Sequence, residues 1–306
     1  MSKYKKRDRR KGNQNQVTRW LVIAGVTVLV LTIGRWLVLS NQPRGNGNAR
    51  PISHLSTADF HSLAFSPTEP DTVFFGHHHG LMVSKDGGRN WQPTTFANAD
   101  AMALALPVSD PQLMYAAGHD VFYKSTDGGK TWNPLTPDLP GLDMHGFTVD
   151  PEDGNRIFAH IVGYGIFGSQ DGGTTWTWLS KTVSQSTFNL TMGENSQILY
   201  AAAMKDGLLR SSDGGRTWAN IEQAPDQGAI AVTYVKTGNR LLVTTLGSAA
   251  GLYSSDDDGK SWVALALTGN IMAIAVSPLD PKHLIAINDR GEVFASRDNG
   301  VSWSGE

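Results

Sequence analysis

Carboxylates and imidazoles recur at matched offsets through the first half of this 306-residue chain. Asp59, Asp100 and Asp143 each stand two residues ahead of a short run of alternating side chains, and His61 and His145 open two of those runs. Glycine-marked turns carry the other polar groups: GHHHG (Gly76–Gly80) with His78 and His79, GHD (Gly118–Asp120) with His119 and Asp120, GYG (Gly163–Gly165) with Tyr164, and NDRG (Asn288–Gly291) with Arg290. Two chemistries suit these types. Paired carboxylates hydrolyse glycosidic bonds, roughly 5 Å apart when configuration is retained and up to roughly 9 Å apart when it is inverted. That makes Asp59, Asp100 and Asp143 the catalytic candidates. Imidazoles with carboxylates ligate zinc and other borderline metals, so His61, His119 and His145, with His78 or His79, are candidates for a divalent metal, beside Asp59, Asp120 or Asp143. A ligand-binding surface would draw on His61, His78, His79, His119, Asp120, His145, Tyr164 and Arg290, with the Tyr164 ring as a face for a sugar. Plainer roles compete with these: histidine bonds loop backbone, and Asp is among the commonest turn residues. No compact motif links the set. Only a fold that gathers distant turns makes a site of them.

A repeat supplies the elements that would do so. Six octapeptides follow Ser-x-Asp-x-Gly-x-(Thr/Ser/Asn)-Trp: Ser84–Trp91, Ser125–Trp132, Ser169–Trp176, Ser211–Trp218, Ser255–Trp262 and Ser296–Trp303. Their tryptophans are 41 to 44 residues apart, the period of a propeller or solenoid. Structural roles fall to Asp86, Trp91, Asp127, Trp132, Asp171, Trp176, Asp213, Trp218, Asp257, Trp262, Asp298 and Trp303. Short Ser and Asp side chains close a turn on backbone N–H groups, Gly accepts positive φ, and the Trp wedges between repeats with its indole N–H seeking an acceptor. Each repeat reads as four strands; in the first these are His61–Ser66, Thr72–Gly76, Leu81–Ser84 and Asn90–Thr94. Across repeats the first strand keeps large residues at two positions (Leu63 and Phe65, Leu104 and Leu106, Phe147 and Val149) and small ones between them. Period-two alternation with one small face suits strands converging on an axis. The prediction is an all-β, six-bladed β-propeller over residues 56–306, with the Asp/His turns around one mouth of its channel. The last repeat has only Val301–Glu306 for a fourth strand, so Pro51–Ser56 is expected to add a strand beside it and seal the ring.

Composition sets further bounds. With no cysteine, disulfides, thiolate ligands and a Cys nucleophile are excluded. The net charge of −2 conceals a basic N-terminal fifty residues and an acidic remainder, which argues against a nucleic-acid partner, since phosphate binding needs a positive surface. Residues 1–17 read as a basic cytoplasmic tail. Within 18–40, Trp20–Leu39 is apolar apart from Arg35, long enough to span a bilayer as a helix. The positive-inside rule then places the propeller outside the cell, on a single-pass anchor at the cell membrane. The run is long for a signal peptide and no small-residue cleavage site follows. Residues 41–55, polar and rich in Gly and Asn, read as a flexible linker.

The octapeptides are identified as Asp boxes, or BNR repeats, and residues 56–306 resemble Asp-box β-propellers: sialidases, some glycoside hydrolases, sortilin-type receptors and the photosystem II assembly factor. The segments HSLAFSP (His61–Pro67), HHHGLMVSKDGG (His77–Gly88) and MHGFTVDP (Met144–Pro151) are most similar to membrane-anchored bacterial propellers described as glycosyl-hydrolase-like. The resemblance implies a box at the rim, remote from substrate. A true sialidase is not expected: that family's arginine cluster and Tyr–Glu pair are absent, and Tyr164 stands alone. Two functions remain: a binding module for an extracellular protein or carbohydrate, and a glycosidase-like hydrolase using the paired carboxylates. No organic cofactor is expected.

Overall fold

The computed structural model describes residues 49–57, 59–226 and 228–303. The expected tail, membrane span and most of the linker (residues 1–48) lie outside these. Among the described residues no helix is long and apolar enough to cross a membrane.

The described residues form six four-stranded antiparallel sheets. In five of them the strands follow chain order from the axis outward, as in Ser62–Phe65, Val73–His77, Gly80–Ser84 and Gln92–Ala97 of blade one. The innermost strands of the other blades are Ala103–Ala105, Met144–Asp150, Thr187–Met192, Ala229–Val235 and Ile271–Val276. Strand limits shift by one to three residues from those the sequence suggests, because turn residues at the mouth join the ladders. Blade six differs. Its fourth strand comes from the other end of the described chain: Ser53–His54 pairs with Val293 and Glu292. The Ile52 and Leu55 N–H groups extend the seam to the carbonyls of Val293 and Gly291, at 2.8 and 2.9 Å. The expected closing segment is therefore in place but takes the position reserved for Val301–Glu306, instead of lying beside it. Val301–Trp303 form no strand.

The core lies between blades. Tyr115, Phe122, Phe147, Ile157 and Ile161 make one such layer, between blades two and three. Burying each of these side chains contributes roughly 1.5–3 kcal/mol. The box tryptophans finish these layers, Trp132 against Phe96 (ring centroids 4.8 Å apart) and Trp176 against Phe122 (6.1 Å). Each ring thus reaches back to the preceding blade.

The box itself repeats one bonding pattern. In blade two the Ser125 hydroxyl donates to Asp127 Oδ1 at 2.8 Å and accepts the Gly129 N–H at 2.9 Å. Asp127 Oδ1 also accepts the N–H groups of Lys130 and Thr131, and Oδ2 accepts the Thr131 hydroxyl at 2.6 Å. Trp132 Nε1 donates to the Gly129 carbonyl at 3.1 Å. Hydrogen bonds from the Thr131 hydroxyl, its amide and Ser125 hold the Asp127 carboxyl down to about 2. Gly128 and Gly129 sit at φ +71° and +83°, where a side chain would be strained. The Gly128 N–H donates to the Gln112 carbonyl in the turn between first and second strands. Equivalent bonds from Gly87, Gly172 and Gly214 put those boxes on the same face, away from the Asp/His mouth.

Candidate functional site

Around the axis the innermost strands enclose a cavity of about 220 Å³, lined by Ser62, Ala103, Ala105, Thr148 and Thr233 among others, with His61 at one rim. A larger cavity of about 800 Å³ opens at the far end among first-to-second-strand turns such as Asp150–Glu152. Glu152 and Lys236 pair there, and no imidazole lines it. The chemistry expected from the sequence sits at the smaller opening.

A shared device builds that opening. A residue one to three positions before each innermost strand ties down the turn between the second and third strands of its own blade. In blade one, Asp59 Oδ1 accepts the His78 N–H at 2.8 Å, while Oδ2 lies 3.1 Å from His78 Nδ1. In blade two, Asp100 Oδ2 takes both the His119 N–H (2.9 Å) and His119 Nδ1 (2.7 Å). In blades three to six a backbone carbonyl makes the tie instead: those of Asp143, Ser186, Gly228 and Asn270 accept the N–H groups of Val162, Met204, Leu246 and Asp289 at 3.0–3.2 Å, so the Asp143 carboxylate remains for other contacts. Those contacts are imidazoles: Asp143 Oδ1 lies 3.1 Å from His145 Nε2 and 3.7 Å from His119 Nε2. Neither approach is aligned as a hydrogen bond, and this buried oxygen has no hydrogen-bond partner.

The result is a continuous arc. His61 Nε2 and His78 Nε2 meet at 2.9 Å, the His78 and His119 rings are 5.5 Å apart, and His119 Nε2 and His145 Nε2 are 3.3 Å apart. Phe188, the second residue of the innermost strand of blade four, lies 6.0 Å from the His61 ring and 5.8 Å from that of His145, completing a circle of five rings. Beyond Phe188 the mouth turns apolar, with Ile230, Met272 and Leu246 in one cluster. Burial, reinforced by the neighbouring His78, lowers His61 to about 4. Burial also lowers His145, against the opposing pull of Asp143. Both rings are therefore neutral near pH 7, with a nitrogen lone pair available. Three overlapping ligand sets result: Asp59–His61–His78, His78–Asp100–His119 and His119–Asp143–His145.

Of the residues singled out from the sequence, Asp59, Asp100, Asp143, His61, His78, His119 and His145 come together. The others do not. His79 faces outward at the tip of its turn, where its carbonyl accepts the Asn98 N–H. Asp120 is exposed at φ +58°. Tyr164 is 45% exposed, and its carbonyl accepts the Trp178 indole N–H. Arg290 turns back onto Glu292 of its own hairpin, at 2.6 Å. Sequence reasoning missed Phe188, although it occupies the register of His61 and His145. It also missed His160, fully buried on the second strand of blade three with both ring nitrogens unpartnered.

Comparison with known proteins supports the architecture. Residues 123–134 match the BNR/Asp-box repeat. No protein of curated function is significantly similar in sequence. Among solved structures the chain is similar to the GH74 enzyme of Niastella koreensis (18% identity, TM-score 0.62) and the GH74 xyloglucanase of Xanthomonas campestris (17%, TM-score 0.60). Each likeness covers 83% of this chain but 46% of the enzyme, so the chain spans about half the length of these relatives. It is also similar to YCF48 bound to D1 peptide (18%, TM-score 0.55), over 82% of this chain and 83% of that one. At these identities the likeness speaks to the fold: a six-bladed propeller carrying BNR/Asp-box repeats.

Proposed function

We propose that this chain is a membrane-tethered, extracytoplasmic binding module that receives a protein or glycan at the mouth of blades one to three. One observation carries the reading: two of the three carboxylates at this mouth, Asp59 and Asp100, are committed to imidazoles and turn amides, which leaves Asp143 without a free carboxyl partner. Asp59 and Asp100 each hold a backbone N–H and a ring nitrogen. A glycosidase needs one carboxylic acid and one carboxylate free to face the sugar. A rigid, half-polar and half-apolar rim suits recognition instead, and YCF48 bound to D1 peptide is a propeller of this fold with a peptide partner. The tether rests on Trp20–Leu39 and the basic residues before it.

The second reading, a glycosidase-like hydrolase, is favoured by the GH74 likeness. Both are tested on the purified full chain in detergent, with panels of aryl glycosides, polysaccharides and immobilised glycans and peptides. Saturable binding without turnover, weakened in His61→Ala, is expected. Turnover abolished by Asp59→Asn, Asp100→Asn or Asp143→Asn would replace the binding module with the hydrolase.

A further inference from the structure

We propose that His119, Asp143 and His145 hold one divalent transition-metal ion of the zinc class, with Asp100 as a positioning residue behind His119. The inference concerns the mouth of the binding module, but metal uptake is measured without any macromolecular ligand, so either reading can fail alone.

Asp100 Oδ2, 2.7 Å from His119 Nδ1, takes the proton of that nitrogen and fixes the tautomer. In the neutral ring His119 Nε2 is then a bare lone pair facing the arc. It meets His145 Nε2 at 3.3 Å, and Asp143 Oδ1 lies 3.7 and 3.1 Å from the two nitrogens. A neutral imidazole has one N–H, so at most one proton, on His145 Nε2, serves this triangle of acceptors. Directed at His119, it leaves the buried Asp143 Oδ1 without a partner, as observed. A cation at the centre satisfies all three atoms at once.

The dimensions agree. A triangle with edges of 3.1, 3.3 and 3.7 Å has its corners about 2.0 Å from one interior point, against roughly 2.0–2.2 Å for zinc to histidine nitrogen or carboxylate oxygen. The rings of His119 and His145 stand at 88° to each other, so they meet at their nitrogens and not face to face. Asp100 supplies the outer contact that metal-bound histidines regularly make, from a side chain only 10% exposed. Two imidazoles and one carboxylate suit zinc-like ions and disfavour calcium or magnesium, which take oxygen ligands. The other two sets fit less well. Asp59 Oδ1 already accepts the His78 amide, and Asp100 Oδ2 already holds the His119 amide and Nδ1. The ligands His119 and Asp143 are 47% and 40% exposed, so further coordination positions face the mouth.

The test is zinc titration of the chelator-stripped full chain in detergent, against a chromophoric chelator, with cobalt as a spectroscopic substitute. One equivalent should bind. His119→Ala, His145→Ala and Asp143→Asn should each weaken binding at least 100-fold. Asp100→Asn should weaken it roughly 10- to 100-fold, as loss of an outer contact does, and alter the cobalt spectrum. His79→Ala and Asp120→Asn should leave binding unchanged, and thermal melts check that every variant is folded. No stoichiometric uptake by the folded protein would overturn the proposal. So would uptake surviving in a folded His119→Ala/His145→Ala double variant, or uptake lost in His61→Ala and retained in His145→Ala.

Discussion

Aspartate does opposite work at the two faces of this wheel. In the boxes, Asp86, Asp127, Asp171, Asp213, Asp257 and Asp298 each accept the serine hydroxyl at 2.7–2.9 Å and the amide four residues on at 2.9 Å. At the mouth the aspartates differ: Asp59 and Asp100 cap turns and face imidazoles with their carboxylates, while Asp143 ties its turn through its backbone carbonyl and turns its carboxylate to two rings. Sixfold sameness is what packing requires of any closed ring. Departure from it at one end of the axis is what packing leaves unexplained, and that end is where a ligand would be recognised.

The sharpest way to test this division is to damage one face and watch the other. Trp303 is 4% exposed, and Trp303→Ala should cost roughly 3–5 kcal/mol in denaturant melts. The folded fraction should bind zinc as before; loss of uptake there would break the separation of faces.

Next in size is an acid response. Burial lowers His160 from 6.5 to about 4. An imidazole with a folded value below its unfolded one binds more protons when unfolded, so its contribution is whole above pH 6.5 and is lost as pH falls toward 4. At the bottom of that window the loss is roughly 3 kcal/mol. His160→Leu should remove that share of the pH dependence in urea melts between pH 7 and 4.5, leaving the slope from His61 and His283, both also lowered to about 4 by burial. An unchanged slope would mean that His160 is not shielded from water.

The smallest effects compare the two kinds of aspartate neighbourhood directly. Ser125→Ala strips the acceptor from the Gly129 N–H and should cost roughly 1–3 kcal/mol. Asp59→Asn keeps an oxygen for the His78 amide and should cost less than about 1 kcal/mol. Thermal melts of the two variants side by side decide it; equal losses would erase the distinction between scaffold and mouth.

The scaffold was largely legible in the sequence because it depends on local chemistry. A Ser, an Asp, a Gly and a Trp at fixed offsets make their bonds within eight residues, so six copies can be counted along the chain. The closing strand was legible too, as a shortage of residues after the last box. The site was legible only in part. Spacing brought Asp59, Asp100 and Asp143 to one mouth, but not the direction in which a turn side chain points. His78 and His79 are adjacent in a tight turn, and the choice between them is made by Asp59, which captures the His78 amide and draws that ring toward the axis. Tyr164 and Arg290 occupy matching turns but do not join the arc: the Tyr164 ring lies beside Gly141 and Arg290 turns back onto Glu292. Phe188 aligns with two histidines along the sequence, but its apolar ring offers no titratable or metal-ligating atom and so marks no site.

The seam of blade six has a mechanical consequence. Five outer strands are joined by their own box turns to the strands beside them, whereas Ser53–His54 is latched without a covalent link, by backbone bonds to Glu292 and Val293, by the Ser53 hydroxyl on the Gly88 carbonyl and by Ile52 and Leu55 packed with Val293. Any tension transmitted along the chain from before Ala49 falls first on that latch. Under load, the ring would unclasp there before any single blade came apart.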